Sequence, residues 1–164
     1  MSLFPTYRPD PKLDLVLERV VDVAPELVWK AWTTPEIMVK WFTPKPWTTP
    51  EVEIDLRPGG IFRNVMESPE GERMTNGGSI LEVVTNQRLV WTSALLPGFR
   101  PAPARTGFPH ITAAILLKPE GRGTRYTAVV MHPDEAGRTM HEGMGFHDGW
   151  GTALDQLVQV MKTA

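Results

Sequence analysis

One apolar stripe near the C-terminus constrains this chain more than any other feature. Met140, Met144, His147, Gly151, Leu154, Val158 and Met161 recur in alternating steps of four and three, so a single helix face carries all of them. Trp150 and Leu157 widen that face. The spacing predicts a long helix that starts within residues 133–136 and runs to about 161. A lone amphipathic helix of about 25 residues cannot bury its own stripe, so the preceding chain must supply a receiving surface. Gly143, Gly145, Gly149 and Gly151 lie within the same segment. Each costs about 1 kcal/mol relative to Ala in a helix interior. Their clustering predicts a bend near 143–149, a close approach to another backbone, or a continuous helix that starts only near Asp148.

The receiving surface reads as strands. Leu13 to Val23 is a strand segment rich in Leu and Val. Pro25 opens a short helix through Trp32, and Thr34-Pro35 opens a second over 35–41, ended by Pro44 and Pro46. From Glu51 to Arg57, Val52, Ile54 and Leu56 alternate with charged residues, which is the period of a strand with one wet face. Further strands are expected at 61–67, 74–85, 88–95, 110–118 and 123–132, joined mostly by tight turns. Tight turns imply antiparallel pairing. The expected architecture is α+β: a curved antiparallel sheet of about six to seven strands around a long C-terminal helix, with two short helices after the first strand. Residues 1–12, with Pro5, Pro9 and Pro11, read as an extended arm, and 13–164 as a single domain.

Composition narrows the partners. The net charge is −2 with no basic block, which disfavours nucleic acid and anionic membrane. No run approaches the ~20 apolar residues that span a bilayer, so no membrane insertion is expected. Residues 1–12 contain no apolar stretch of signal-peptide length, and a cytoplasmic location follows as the expectation. Without cysteine the chain forms no disulfide and has no thiolate chemistry. There is no phosphate-binding Gly-rich loop, no Gly-x-Ser-x-Gly elbow and no paired catalytic carboxylates. His141 falls well to one side of His147 on a helical wheel, and no histidine–carboxylate spacing matches a metal signature. Neither a metal nor a cofactor is expected.

Several segments occur together in a recognisable order. They are Ala24-Pro25-Glu26-Leu27-Val28-Trp29-Lys30-Ala31-Trp32-Thr33-Thr34-Pro35-Glu36, Trp41-Phe42, and Asp55-Leu56-Arg57-Pro58-Gly59-Gly60-Ile61-Phe62-Arg63. Gly78-Ser79-Ile80-Leu81-Glu82-Val83, Arg88-Leu89-Val90-Trp91, Gly123-Thr124-Arg125-Tyr126-Thr127, Gly149-Trp150-Gly151 and Leu154-Asp155-Gln156-Leu157 follow. Over roughly 13–162 the chain resembles the START-like, or SRPBCC, superfamily. More narrowly, it is similar to standalone homologues of the C-terminal domain of the heat-shock-protein-90 ATPase activator. The resemblance implies a helix-grip fold with a cavity between sheet and long helix. It does not imply one chemistry, because relatives bind lipids or hormones, cyclise or dehydrate polyketides, or act as co-chaperones.

On that reading His147, centred in the stripe, faces the sheet as a polar anchor or general acid/base, or as a histidine satisfied by its neighbours. Met144 and Trp150 flank it as pocket wall or plain core. Asn64 shares strand parity with Phe62 and Met66, which places all three on the cavity face. A ligand, a water or His147 is then needed to satisfy the amide. Residues 96–109 carry four prolines, two glycines, Phe99 and Phe108, and read as a lid or a dimer contact. Trp91 and His110, to either side of that loop, complete the expected site. Trp41-Phe42 reads as core, and Gly77-Gly78 as a bulge or turn. The first expectation is a binder of a small hydrophobic or amphipathic molecule. The second is a cyclase- or dehydratase-type enzyme using His147. The third is a co-chaperone-like interaction protein, which the absence of the activator's separate N-terminal domain disfavours. Resembling proteins often pair, so a homodimer is the expected assembly to test.

Overall fold

A computed structural model describes residues 7–163. Strand β1 (Asp14–Val21) leads into helices α1 (Pro25–Thr33) and α2 (Pro35–Met38). Strands β2 (Thr48–Ile54), β3 (Ile61–Glu67), β4 (Arg73–Val84) and β5 (Arg88–Thr92) follow. A small hairpin, β6 (Leu95–Leu96) and β7 (Arg100–Pro101), interrupts the sequence before β8 (Thr112–Glu120) and β9 (Gly123–Met131). Helices α3 (Glu135–Gly143) and α4 (Phe146–Thr163) end the chain.

The main sheet is antiparallel and seven-stranded, in the order β1-β9-β8-β5-β4-β3-β2. It curves, and its inner face receives the helices. Alternation assigns the two faces. Ala113, Ile115 and Leu117 of β8 and Tyr126, Ala128 and Val130 of β9 belong to the core shared with α1 and α4. Ala114, Leu116 and Val129 face the other way, with Val90 and Tyr7. Tyr7 Oη donates to Glu82 Oε1 at 2.9 Å, so the chain just before β1 crosses the outer face. The part of the expected arm before Tyr7 lies outside the described residues.

Pro25 and Pro35 each start a helix, where a missing N–H costs nothing. The second helix is shorter than expected and ends at Met38. Strand β2 starts at Thr48, ahead of the clean alternation, with a register shift between Thr48 and Glu51. Pro50, which has no ladder donor, falls within that shift. Gly77 and Gly78 form neither turn nor bulge. They lie inside β4, where Gly78 packs directly on the Thr92–Ser93 backbone, and the register shift comes later, between Ile80 and Glu82.

The expected bend in the terminal helix lies at Met144–Gly145. Gly145 has φ +88°, a left-handed conformation that glycine adopts without steric cost. The break changes the phase of the apolar stripe. Beyond it, Gly151, Leu154, Leu157 and Met161 are buried as expected. Before it, the expectation fails: Met140 and Met144 are exposed and His141 is an inward position of α3, while Phe146 opens the buried face of α4 just after the break. Gly151 lets the Arg19 side chain cross the helix closely, and Arg19 Nη1 bonds Asp155 Oδ1 at 2.8 Å. Gln156 Nε2 donates to the carbonyls of Trp41 and Thr43, both at 2.9 Å. These contacts hold α4 to β1 and to the segment after α2.

Candidate functional site

Between the inner sheet face, α1 and the α3–α4 junction lies a recess of about 290 Å³. That is near the lower end of the range for small-molecule sites. Its bed is aromatic. Phe62 of β3 and Trp91 of β5 stack with centroids 4.7 Å apart and planes inclined by 10°. Trp32 of α1 meets Trp41 edge-on at 5.1 Å, and Phe42 lies beside both. Trp41 spends its indole N–H on the Ala31 carbonyl at 3.1 Å, so it serves as core as well as wall.

The polar groups are few and unevenly satisfied. Asn64 is buried, and its Oδ1 accepts from Nδ2 of Asn76, the register partner on β4, at 3.2 Å. The partner of that amide is therefore a neighbouring strand and not His147. Among the described residues, Trp91 Nε1 is buried with no hydrogen-bond partner, and Trp32 Nε1 makes no hydrogen bond of good geometry but lies against the Tyr126 hydroxyl. An unmade bond of this kind costs about 1–3 kcal/mol. Tyr126 is 2% exposed, and burial drives its phenol pKa up, so the hydroxyl keeps its proton.

At the other end, His141 enters the recess from α3. Its Nδ1 lies 2.9 Å from His132 Nε2, and His132 Nδ1 lies 2.8 Å from the Leu13 carbonyl. Phe108 and Phe146 present ring edges to it at 4.9 and 5.2 Å. Burial, reinforced by the neighbouring His132, lowers the His141 pKa to about 4, so the ring is neutral at neutral pH. No three or more His, Cys, Asp or Glu side chains among the described residues converge as a metal site.

The segment 96–109 divides in two. The β6–β7 hairpin carries Phe99 against Gly59, and Gly98 N donates to the Gly59 carbonyl at 2.8 Å. The remainder forms part of the recess wall through Arg105 and Phe108, with the guanidinium 5.5 Å from the Phe108 centroid. His110 ties this stretch down, with Nε2 2.8 Å from the Pro103 carbonyl and Nδ1 3.1 Å from Ser93 Oγ.

Of the residues expected at the site, Phe62, Asn64, Met66 and Trp91 line the recess from the sheet. Phe108, Met144 and Trp150 line it from the loop and helices. Two do not. His110 latches the loop from behind. His147 is exposed on α4, edge-on to Phe146 at 5.0 Å, because it lies at the margin of a buried face centred on Phe146, Ala153, Leu154 and Leu157. An acid–base role for His147 in the recess therefore has no geometric basis. The residues that sequence reasoning missed are Trp32, Tyr126, His141 and Phe146. Tyr126 had a signal, since it shares strand parity with Ala128 and Val130. Phe146 had one as well, being in helical phase with Ala153 and Leu157, whereas His141 had none until the break was located.

The residues matched by known proteins span this same unit. The family described as "Activator of Hsp90 ATPase homolog 1-like protein" matches residues 22–162. A crystal structure of a Nitrosomonas europaea protein is 48% identical, with 94% of this chain and 97% of that one covered at a TM-score of 0.89. A Chromobacterium violaceum protein, 24% identical over 90% of this chain and 96% of its own, shares the fold at a TM-score of 0.73. So does the AHSA1-like protein of Aeromonas hydrophila, 18% identical over 92% and 93% of the two chains, at 0.68. No curated protein matches the sequence. No described helix is long and apolar enough to cross a membrane. On the extent of that match, and with the sheet, paired short helices and long terminal helix in place, the chain belongs to the activator of Hsp90 ATPase homolog 1-like family.

Proposed function

We propose that this protein binds a small hydrophobic or amphipathic molecule in the recess between the sheet and α4. The observation that carries the proposal is the recess of about 290 Å³ itself, walled mainly by aromatic and apolar side chains with few polar groups. Buried donors are almost always satisfied. Trp91 Nε1, buried in that wall without a partner, marks a place where the packing of this space is incomplete in polar terms. Family membership supports a ligand-binding domain of the SRPBCC kind.

The test uses N-phenyl-1-naphthylamine, a neutral apolar fluorophore, with the parent and a Gly149→Leu variant. Gly149 borders the recess and a Cβ there meets no atom within 4 Å, so the substitution adds bulk at the recess edge with no clash at the first side-chain atom. The parent should enhance the fluorescence saturably, and the folded variant should bind at least about tenfold more weakly. No enhancement with the parent, or equal binding by both proteins, overturns the proposal.

A further inference from the structure

The recess is lined by one charged residue, Arg105, and no Asp, Glu or Lys shares its wall. The other polar side chains there add no charge. Asn64, Asn76 and Ser93 do not ionise at neutral pH, Tyr126 keeps its proton, and His141, with its pKa lowered to about 4, is uncharged. None of the ion pairs among the described residues includes Arg105. The space therefore has a single sign of charge at its wall, and that charge has no carboxylate of the protein's own.

The position of the cation is also fixed. Its guanidinium carbon lies 5.5 Å from the centroid of Phe108, and Phe108 meets His141 with ring centroids 4.9 Å apart, so the charge stands on the aromatic wall itself. The backbone to either side is anchored. The Pro103 carbonyl lies 2.8 Å from His110 Nε2, and Pro109 packs so closely on Gly137 of α3 that a Cβ there would come within 3.1 Å of it. Arg105 lines the recess yet is exposed, which sets it at the opening and not on the floor. A cation so placed stays hydrated when the recess is empty, so holding it there costs little desolvation.

Resting on the ligand-binding reading above, we propose that the recess takes an apolar molecule with one anionic head group, such as a carboxylate. The apolar body lies against the aromatic rings, and the head pairs with the Arg105 guanidinium at the opening. A cationic head meets only like charge there.

The test uses a matched pair, 1-naphthaleneacetate and its neutral amide, 1-naphthaleneacetamide, each displacing N-phenyl-1-naphthylamine at neutral pH. The two have the same shape, so the ratio of their affinities reads the charge alone. The parent should bind the acid about fivefold more tightly than the amide at low salt, and the ratio should shrink at high salt. In Arg105→Gln the ratio should fall to about one, whereas Arg105→Lys should keep a preference for the acid. A preference that survives in Arg105→Gln overturns the proposal. If N-phenyl-1-naphthylamine binds the parent but the acid and the amide bind equally or not at all, the anion inference falls while the ligand site stands. If none of the three binds the parent, both fall.

Discussion

The two halves of α4 sit on the same sheet and treat it differently. From Leu154 to Met161, large side chains fill the inward face: Leu154 is 2%, Leu157 0% and Met161 7% exposed. From Phe146 to Ala153, Phe146 is buried, but Gly149 and Ala153, one helical turn apart, border the recess with little or no side chain, as does Gly145 just before the helix. One half stabilises the fold, at about 1.5–3 kcal/mol for each large apolar side chain buried. The other half leaves volume empty. Small residues on one short helical face thus border the space inside this protein.

The contrast can be broken at graded cost. Leu157→Ala, in the filled half, should lower unfolding stability by about 2–5 kcal/mol, read from urea denaturation. A loss under about 1 kcal/mol would mean that this half is not close-packed. At the mouth of the open half, acid should act through His141. Its folded pKa of about 4 lies below the ordinary 6.5, so between those values the unfolded chain takes up a proton that the folded one refuses. That part of the stability is intact above pH 6.5, declines as pH falls toward 4, and levels off below. The effect is on the order of 2 kcal/mol. It should appear as a steeper acid slope in the parent than in His141→Gln, and parallel slopes would refute it.

Gly149→Ala should raise stability by about 0.5–1 kcal/mol, because a methyl group there meets open space and the helix gains a better former. A melting temperature at or below that of the parent would mean that the glycine is needed for close approach. The smallest effect belongs to His147→Ala. On an exposed position it should shift stability by less than about 0.5 kcal/mol and leave N-phenyl-1-naphthylamine binding unchanged. Lost binding would restore His147 to the site.

The sequence made the architecture legible because its signals were local and repeated: two Pro-initiated helices, tight turns, and alternation in β2 and β3. Asn64, Phe62 and Met66 were placed correctly because strand parity has a period of two and β3 has no bulge to upset it. The helical stripe was legible only beyond Gly151. One residue in a left-handed conformation advances the phase of everything on its other side, and four glycines in a row of candidates do not say which one does so. The His132–His141 contact joins a strand end to a helix across that break, and neither periodicity nor spacing encodes it. The satisfied state of Asn64 was hidden for a similar reason, since its partner depends on the β3–β4 register.

The break at Gly145 has one more consequence. Helix α3 is attached to the sheet chiefly by side chains: Arg138 Nε on the Asp14 carbonyl at 3.0 Å, and His141 on His132 at 2.9 Å. Such a flap can lift as a unit about its glycine pivot while the β-ladders and the rest of α4 stay zipped. Amide protons in 138–143 should therefore trade with deuterium well before those in 154–161, and a lodged guest should slow the former far more than the latter.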